Sequence, residues 1–143
     1  MKALTELLEN KGKGAVTVPE SASVAAAIRA MYESRVGSVL IPSASGTPVG
    51  ILTERDIMRL CAEGKTDFEH MMLKDYMTTN IILGKPEDRV HEVLILMTEK
   101  RFRHMPVVKD DQILGLISMG DLVKAKLEET AQEAQALREY ITS

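Results

Sequence analysis

The feature that most limits how this chain can fold is a segment it contains twice. Gly50-Ile51-Leu52-Thr53-Glu54-Arg55-Asp56 returns as Gly115-Leu116-Ile117-Ser118-Met119-Gly120-Asp121, an offset of 65 positions. Gly, two aliphatics, a hydroxyl residue, two free positions and Asp recur in register. Each copy predicts the end of a buried strand followed at once by a helix, with Thr or Ser as N-cap and the acid three residues on. A capping box would account for either copy alone. That device prefers Glu or Gln, however, and both copies keep the shorter Asp. The repeated Asp therefore points beyond capping.

The duplication reaches further than the motif. The helical stripe Val24, Ala27, Ile28, Met31 is answered at an offset of 66 by Val90, Val93, Leu94, Met97, and Glu33 and Arg35 by Glu99 and Arg101. The slip from 66 to 65 falls in the hairpin turns, 43–47 in the first half and the shorter 109–112 in the second. Short strands are expected at 15–18, closed by Pro19, and at 81–83, with further strands at 38–41, 48–52, 104–108 and 113–118. Ser21 or Ser23 caps the first of these helices, and the helix holding Ile57, Leu60 and Cys61 ends near Gly64. Each half then reads β-α-β-β-α, an α/β (α+β) unit with one apolar sheet face left to cover, which two copies bury together about a pseudo-twofold axis. The expected organisation is an N-terminal arm at 1–14, a first repeat at 15–66, a linker at 67–79, a second repeat at 80–128 and a C-terminal helix extension at 129–143. Leu4, Leu7 and Leu8 make the arm an amphipathic packing helix that breaks in a flexible turn at 10–14. The last helix carries Leu122, Val123, Leu127, Ala131, Ala134 and Leu137 on or near one face, an apolar edge to hide on the partner half or a second subunit.

Composition narrows the function. At 143 residues, 45% hydrophobic and 27% charged, the chain suits one compact domain or two small halves sharing a core. A net charge of −3 with acids and bases interspersed lacks the footprint of a nucleic-acid binder. One cysteine excludes an internal disulfide or a Cys-based zinc site, and Cys61 is expected at the core or its boundary. No apolar run approaches the roughly 20 residues of a membrane span, and the start lacks a signal-peptide apolar region, so a soluble, cytoplasmic protein is expected. Lys11-Gly12-Lys13-Gly14 lacks P-loop spacing. Met71, Met72 and Met77 are expected to fill core gaps, and His70, His91 and His104 fall in separate elements, so no metal site is expected.

The sequence resembles a tandem pair of CBS domains, the regulatory module named after cystathionine β-synthase, over residues 10–128. The two Gly-h-h-(Thr/Ser)-x-x-Asp segments carry the likeness. So do Val36-Gly37-Ser38-Val39-Leu40, its counterpart Phe102-Arg103-His104-Met105-Pro106-Val107-Val108, and Asp75-Tyr76-Met77-Thr78. The resemblance implies binding of an adenosyl ligand such as AMP, ADP, ATP, NAD or S-adenosylmethionine, with no catalysis. It also implies a sensor that forms a homodimer and reports to an effector protein encoded elsewhere. By the same resemblance Ser38, Val39 and Leu40 line one adenine pocket and His104, Met105 and Pro106 the other, joined by Thr17 and by Ile81 or Ile82. Core packing would explain Val39, Leu40 and Met105 equally well. Pro106 lacks a ladder donor, which suggests an edge or a place where backbone faces a ligand.

On that assignment the motif residues take physical roles. A carboxylate offers two acceptors to the paired hydroxyls of a ribose, so Asp56 and Asp121 are the expected anchors. Thr53 and Ser118 stand at helix N-termini that favour phosphate. Arg55 occupies a first helical turn, where the dipole disfavours a cation unless an anion lies near. Its counterpart is Gly120, while Arg101, Arg103 and His104 crowd the strand entry nearest the second motif in sequence. The second site is therefore expected to take the more highly charged phosphate. An enzyme would need a nucleophile or an acid–base pair that the repeats do not supply. A structural dimerisation module without ligand would keep the apolar stripes but would not need both acids.

Overall fold

The computed structural model describes residues 2–12 and 14–142. Met1, Lys13 and Ser143, which fall in the expected arm, its turn and the C-terminal extension, lie outside the described residues. The elements are α1 (Leu4–Lys11), α2 (Val24–Ser34), β1 (Ser38–Pro42), β2 (Pro48–Thr53), α3 (Glu54–Ala62), a 3₁₀ turn at Phe68–His70, α4 (Leu73–Tyr76), α5 (Val90–Lys100), β3 (His104–Lys109), β4 (Gln112–Ser118) and α6 (Met119–Thr142). The fold is mixed α/β, two copies of one unit.

The matching helices repeat in detail. Ser23, not Ser21, caps α2 by accepting a bond from the Ala26 N–H at 3.1 Å. α2 buries Val24, Ala27 and Met31 and stops at Arg35 in the left-handed region, φ 56°. α5 buries Val90, Val93 and Met97 and stops at Arg101, φ 57°. β1 and β2 pair antiparallel with Ser38 opposite Thr53, and β3 and β4 do so with His104 opposite Ser118. Each strand start thus abuts the hydroxyl residue of its own repeat's motif.

The strands expected at 15–18 and 81–83 are each reduced to a single parallel bridge, Thr17 to Leu40 and Gly84 to Val107. Prolines account for the shortening. In the first half Leu40 N–H bonds Val16 O at 2.9 Å and Val18 N–H bonds Leu40 O at 3.0 Å. The next donor along β1 would be residue 42, which is Pro. In the second half Gly84 N–H bonds Pro106 O at 2.8 Å and Val108 N–H bonds Gly84 O at 3.0 Å. Pro106, the counterpart of Leu40, has no N–H to extend that ladder towards Ile82. Each half keeps two of three ladder bonds and loses a different one.

The halves exchange their leading helices. Leu4 N–H bonds Asp88 O and Val90 N–H bonds Lys2 O, docking α1 on the second half; Leu73 N–H bonds Ala22 O and Val24 N–H bonds Met71 O, docking α4 on the first. Side chains follow the same exchange. Leu4 and Leu7 join Val93, Met97, Met105 and Ile117 in one core, whereas Met71 and Leu73 join Val24, Met31, Val39 and Leu52 in the other. Burying each leucine of the arm stabilises by about 1.5–3 kcal/mol, so α1 is part of the fold and not an appendage. The motif glycines mark the crossing points. A Cβ on Gly50 would lie 2.5 Å from Met77 Sδ, and one on Gly115 would lie 2.5 Å from Leu8 Cδ2.

One expectation is corrected. Cys61 is exposed, because it lies on the solvent side of α3 while Leu60 turns inward. The long terminal helix is one uninterrupted element of 24 residues, of which Leu122 and Ala125 are buried.

Candidate functional site

Two clefts lie between the halves, and each combines the motif of one repeat with the strand entry of the other. The first, with a volume of 550 Å³, takes Thr53, Arg55 and Asp56 from the first motif and Ile81, Ile82, Arg101, Arg103 and His104 from the second repeat. The second, of 290 Å³, takes Ser118 from the second motif, Val16, Gly37 and Ser38 from the first repeat, and Lys11 from the arm. The larger volume falls within the range of small-molecule sites and the smaller sits at its lower edge. A third groove, of 740 Å³, lies between α2 and α3, is lined by Met31, Tyr32 and Ile57 among others, and includes neither motif acid.

This arrangement corrects the expected partition of charge. Sequence order alone places Arg101, Arg103 and His104 with the second motif, which they precede. Packing about the pseudo-twofold axis instead places Arg101 and Arg103 in the cleft of the first motif with Arg55, while His104 stays opposite Ser118 and lines both clefts. The first cleft therefore gathers Arg55, Arg101 and Arg103, and none of the three forms a salt bridge among the described residues. Glu54 and Asp56 line the same cleft, so three guanidinium groups stand against two carboxylates, a balance that favours an anion. Its basic character opposes the expectation that the second motif holds the more highly charged group.

Asp56 is 7% exposed at the floor of this cleft. Its Oδ2 accepts from Thr53 N at 2.9 Å and from Thr53 Oγ1 at 3.0 Å, and Oγ1 accepts in turn from Asp56 N at 3.2 Å. The capping box is real, and it engages one carboxylate oxygen. The other faces Arg59 at 3.2 Å, a side chain that is 52% exposed and shared with Glu63. An exposed partner of that kind is displaced at little cost.

Asp121 repeats the cap, accepting from Ser118 N at 2.8 Å while its own N–H reaches Ser118 Oγ at 3.1 Å. Its surroundings differ, for Asp121 lines neither cleft and borders a separate pocket of 330 Å³ with Lys11, Lys124 and Glu128. Lys11 Nζ lies 3.0 Å from Asp121 Oδ2 and 2.9 Å from Leu116 O, so the arm sets a cation on the second acid. Burial alone would raise the Asp121 pKa, but the Ser118 amide and the Lys11 ammonium outweigh it and hold the carboxyl below its ordinary value. Nothing in the sequence marked Lys11, a last-turn lysine before Gly12, as a site residue.

His104 lines both clefts. Burial pushes its pKa down, Arg103 and Lys11 add to the effect, and Asp121 and Asp56 oppose it, leaving the ring neutral at pH 7. Of the other expected residues, Val39, Leu40 and Met105 are core side chains at 0%, 0% and 1% exposure. Pro106 is buried with its carbonyl in the ladder to Gly84, and Thr17 is exposed beside its bridge to Leu40. None of these five is among the residues lining either cleft. Asn80 and Thr78 do line the first cleft, the latter from a stretch already singled out in the sequence. The described residues hold no group of three or more His, Cys, Asp or Glu able to bind a metal, and no helix among them is long and apolar enough to cross a membrane.

The fold and the paired clefts have counterparts among known proteins. The family model described as the CBS domain matches residues 12–63 and 73–128. The mitochondrial CBS domain-containing protein CBSX3 of Arabidopsis thaliana is 32% identical over 147 residues, covering 96% of this chain and 71% of that protein. A solved structure of the CBS-domain containing protein ATU1752 from Agrobacterium tumefaciens superposes with a TM-score of 0.78 at 31% identity, covering 87% of this chain and 99% of that one. The CBS domain protein PAE2072 from Pyrobaculum aerophilum, solved in complex with AMP, gives 0.77 at 27% identity over 92% of this chain and 99% of that one.

Proposed function

The chain belongs to the CBS domain family, and from that premise we propose that it is a non-catalytic, cytoplasmic sensor that binds an adenosyl nucleotide in the first cleft and passes the signal to a partner protein. The observation that carries this proposal is a cleft of 550 Å³ that brings the buried carboxylate of Asp56 together with Arg55, Arg101 and Arg103, none of which forms a salt bridge among the described residues. Those are complementary ends for one ligand: hydroxyls to donate to Asp56, and an anion to satisfy the arginines. Thr53 adds a helix N-terminus, where backbone N–H groups welcome phosphate. Ile51, Ile81, Ile82 and Phe102 supply apolar walls against which a base can pack. The AMP complex of PAE2072 favours AMP as the first candidate. ADP, ATP, NAD and S-adenosylmethionine share the adenosine end and remain candidates, as do Ser118 and Asp121 for a second molecule.

Thermal denaturation with and without about millimolar AMP, ADP, ATP, NAD and S-adenosylmethionine tests the proposal. A ligand that binds only the native state at 100 times its Kd adds about 2.7 kcal/mol, which for a chain of this size raises Tm by 5 °C or more. Absence of a shift with every compound would favour a structural dimerisation module without ligand. Consumption of the ligand would instead indicate an enzyme. Mass spectrometry of material released on heating the purified protein would name a co-purifying nucleotide directly.

A further inference from the structure

α6 carries two apolar faces, and the fold uses only one. Leu122 and Ala125 turn inward against α5 and the second core. On the opposite side Val123, Leu127, Leu137 and Ile141 are 41%, 66%, 60% and 72% exposed. With Thr130 and Ala134 they form two interleaved rows, 127, 134, 141 and 123, 130, 137, each spaced by seven. That is the a/d seam of a coiled coil, and every residue from 130 to 142 is exposed. A helix end of this length, exposed along its whole course, is marginal in water on its own.

We propose that this seam pairs with the same seam of a second copy of the chain, with the two helices parallel. The flanking charges decide both the partner and the direction. Lys124, Ala131 and Arg138 flank the seam on one side, and Lys126, Glu133 and Tyr140 on the other. In a parallel pair Glu133 of each chain faces Arg138 of the other, giving two opposite-charge contacts. An antiparallel pair would set Glu133 near its own copy and Lys124 near Arg138, like against like. Parallel self-association alone removes the exposed stripe and satisfies the charges together. Ala134 and Thr130 keep the seam narrow, so the pair is a modest one that works with whatever other surface the copies share.

The test uses the full chain with Cys61→Ser and Ile141→Cys, oxidised and run on a non-reducing gel. Parallel pairing places the two sulfurs side by side and yields a reducible covalent dimer; antiparallel pairing separates them by about 27 Å and yields none. Leu127→Glu with Leu137→Glu in the same background abolishes the dimer. Glu133→Arg alone weakens its formation about tenfold, and adding Arg138→Glu restores it, from the sign of the facing charges. A chain that stays monomeric on the gel, or one whose cross-linking ignores the glutamates and the charge reversal, overturns the proposal.

Discussion

Asp56→Asn separates a carboxylate needed by a ligand from one needed by its helix. Oδ2 of Asp56 receives both Thr53 bonds, at 2.9 and 3.0 Å. An asparagine oxygen can receive the same two, so the start of α3 survives. What the amide loses is the contact to Arg59, 52% exposed and already 3.6 Å from Glu63, which is worth less than about 1 kcal/mol. Tm should then fall by no more than about 4 °C. A ribose places a different demand on the site, since its two hydroxyls both seek acceptors and the amide offers one. Losing a charge-assisted bond costs about 1.5–3 kcal/mol, which is about 10- to 150-fold in Kd. Titration calorimetry with AMP measures the second effect and a melting curve the first. Asp56→Ala, which also removes the acceptor of the Thr53 N–H and hydroxyl while leaving the Thr53 cap on the backbone N–H of residue 56, should cost a further 1 kcal/mol or so of stability. An AMP Kd within about threefold of the parent for Asp56→Asn would refute the ribose role.

Three further outcomes are expected. Arg103→Ala should weaken ATP by about tenfold or more through a lost charge-assisted contact to phosphate, and AMP by less; an equal loss for both would place Arg103 away from the phosphate tail. Gly115→Ala should destabilise by about 1–2 kcal/mol, because its Cβ would meet Leu8 Cδ2 at 2.5 Å, and Leu8→Ala should recover part of that; simple additivity in melting curves would deny the contact. The pKa of His104 is lowered in the fold by burial and by the cations Arg103 and Lys11, so its contribution is present above the unfolded value near 6.5 and lost as pH falls below it. Tm should decline from pH 7 to pH 5.5, and His104→Gln should flatten the decline; parallel profiles for both proteins would show that His104 does not carry it.

The repeat made the fold legible because its two copies had to meet alike environments: the stripes at 24, 27, 31 and 90, 93, 97 could only be the same helix twice, and both proved buried. The motif acids were legible for the same reason. What the sequence could not disclose was pairing across the axis. Period and spacing fix which side chains face inward from one element, but not which strand entry lies opposite which helix start. Arg101 and Arg103 consequently stood with the wrong motif until the packing was known. Lys11 escaped for a related reason, since its partner Asp121 lies 110 residues away and becomes a neighbour only when α1 crosses to the second half. The first strands shrank to bridges because the backbone donor that Pro42 and Pro106 each lack matters only once the neighbouring strand is known.

The same crossing makes the two clefts unequal even though their backbones repeat. In the first cleft three arginines stand against two carboxylates, an excess that the proposed anionic ligand would relieve. Beside the second, Lys11 already pairs with Asp121, which neighbours Ser118 but is not among the residues lining that cleft. That pair is partly exposed, with side chains 40% and 27% accessible, so it is worth no more than about 1 kcal/mol. Such a sum tilts occupancy about fivefold and does not close the second cleft. Under the proposed function the first cleft is expected to fill before the second, where a ligand reaching Asp121 would compete with a lysine tethered to a helix whose leucines are locked in the core. Lys11→Met removes the competitor without touching Leu4 or Leu7. It should bring the two affinities closer together by about that factor, and an unchanged ratio would mean that volume, 290 against 550 Å³, sets the order alone.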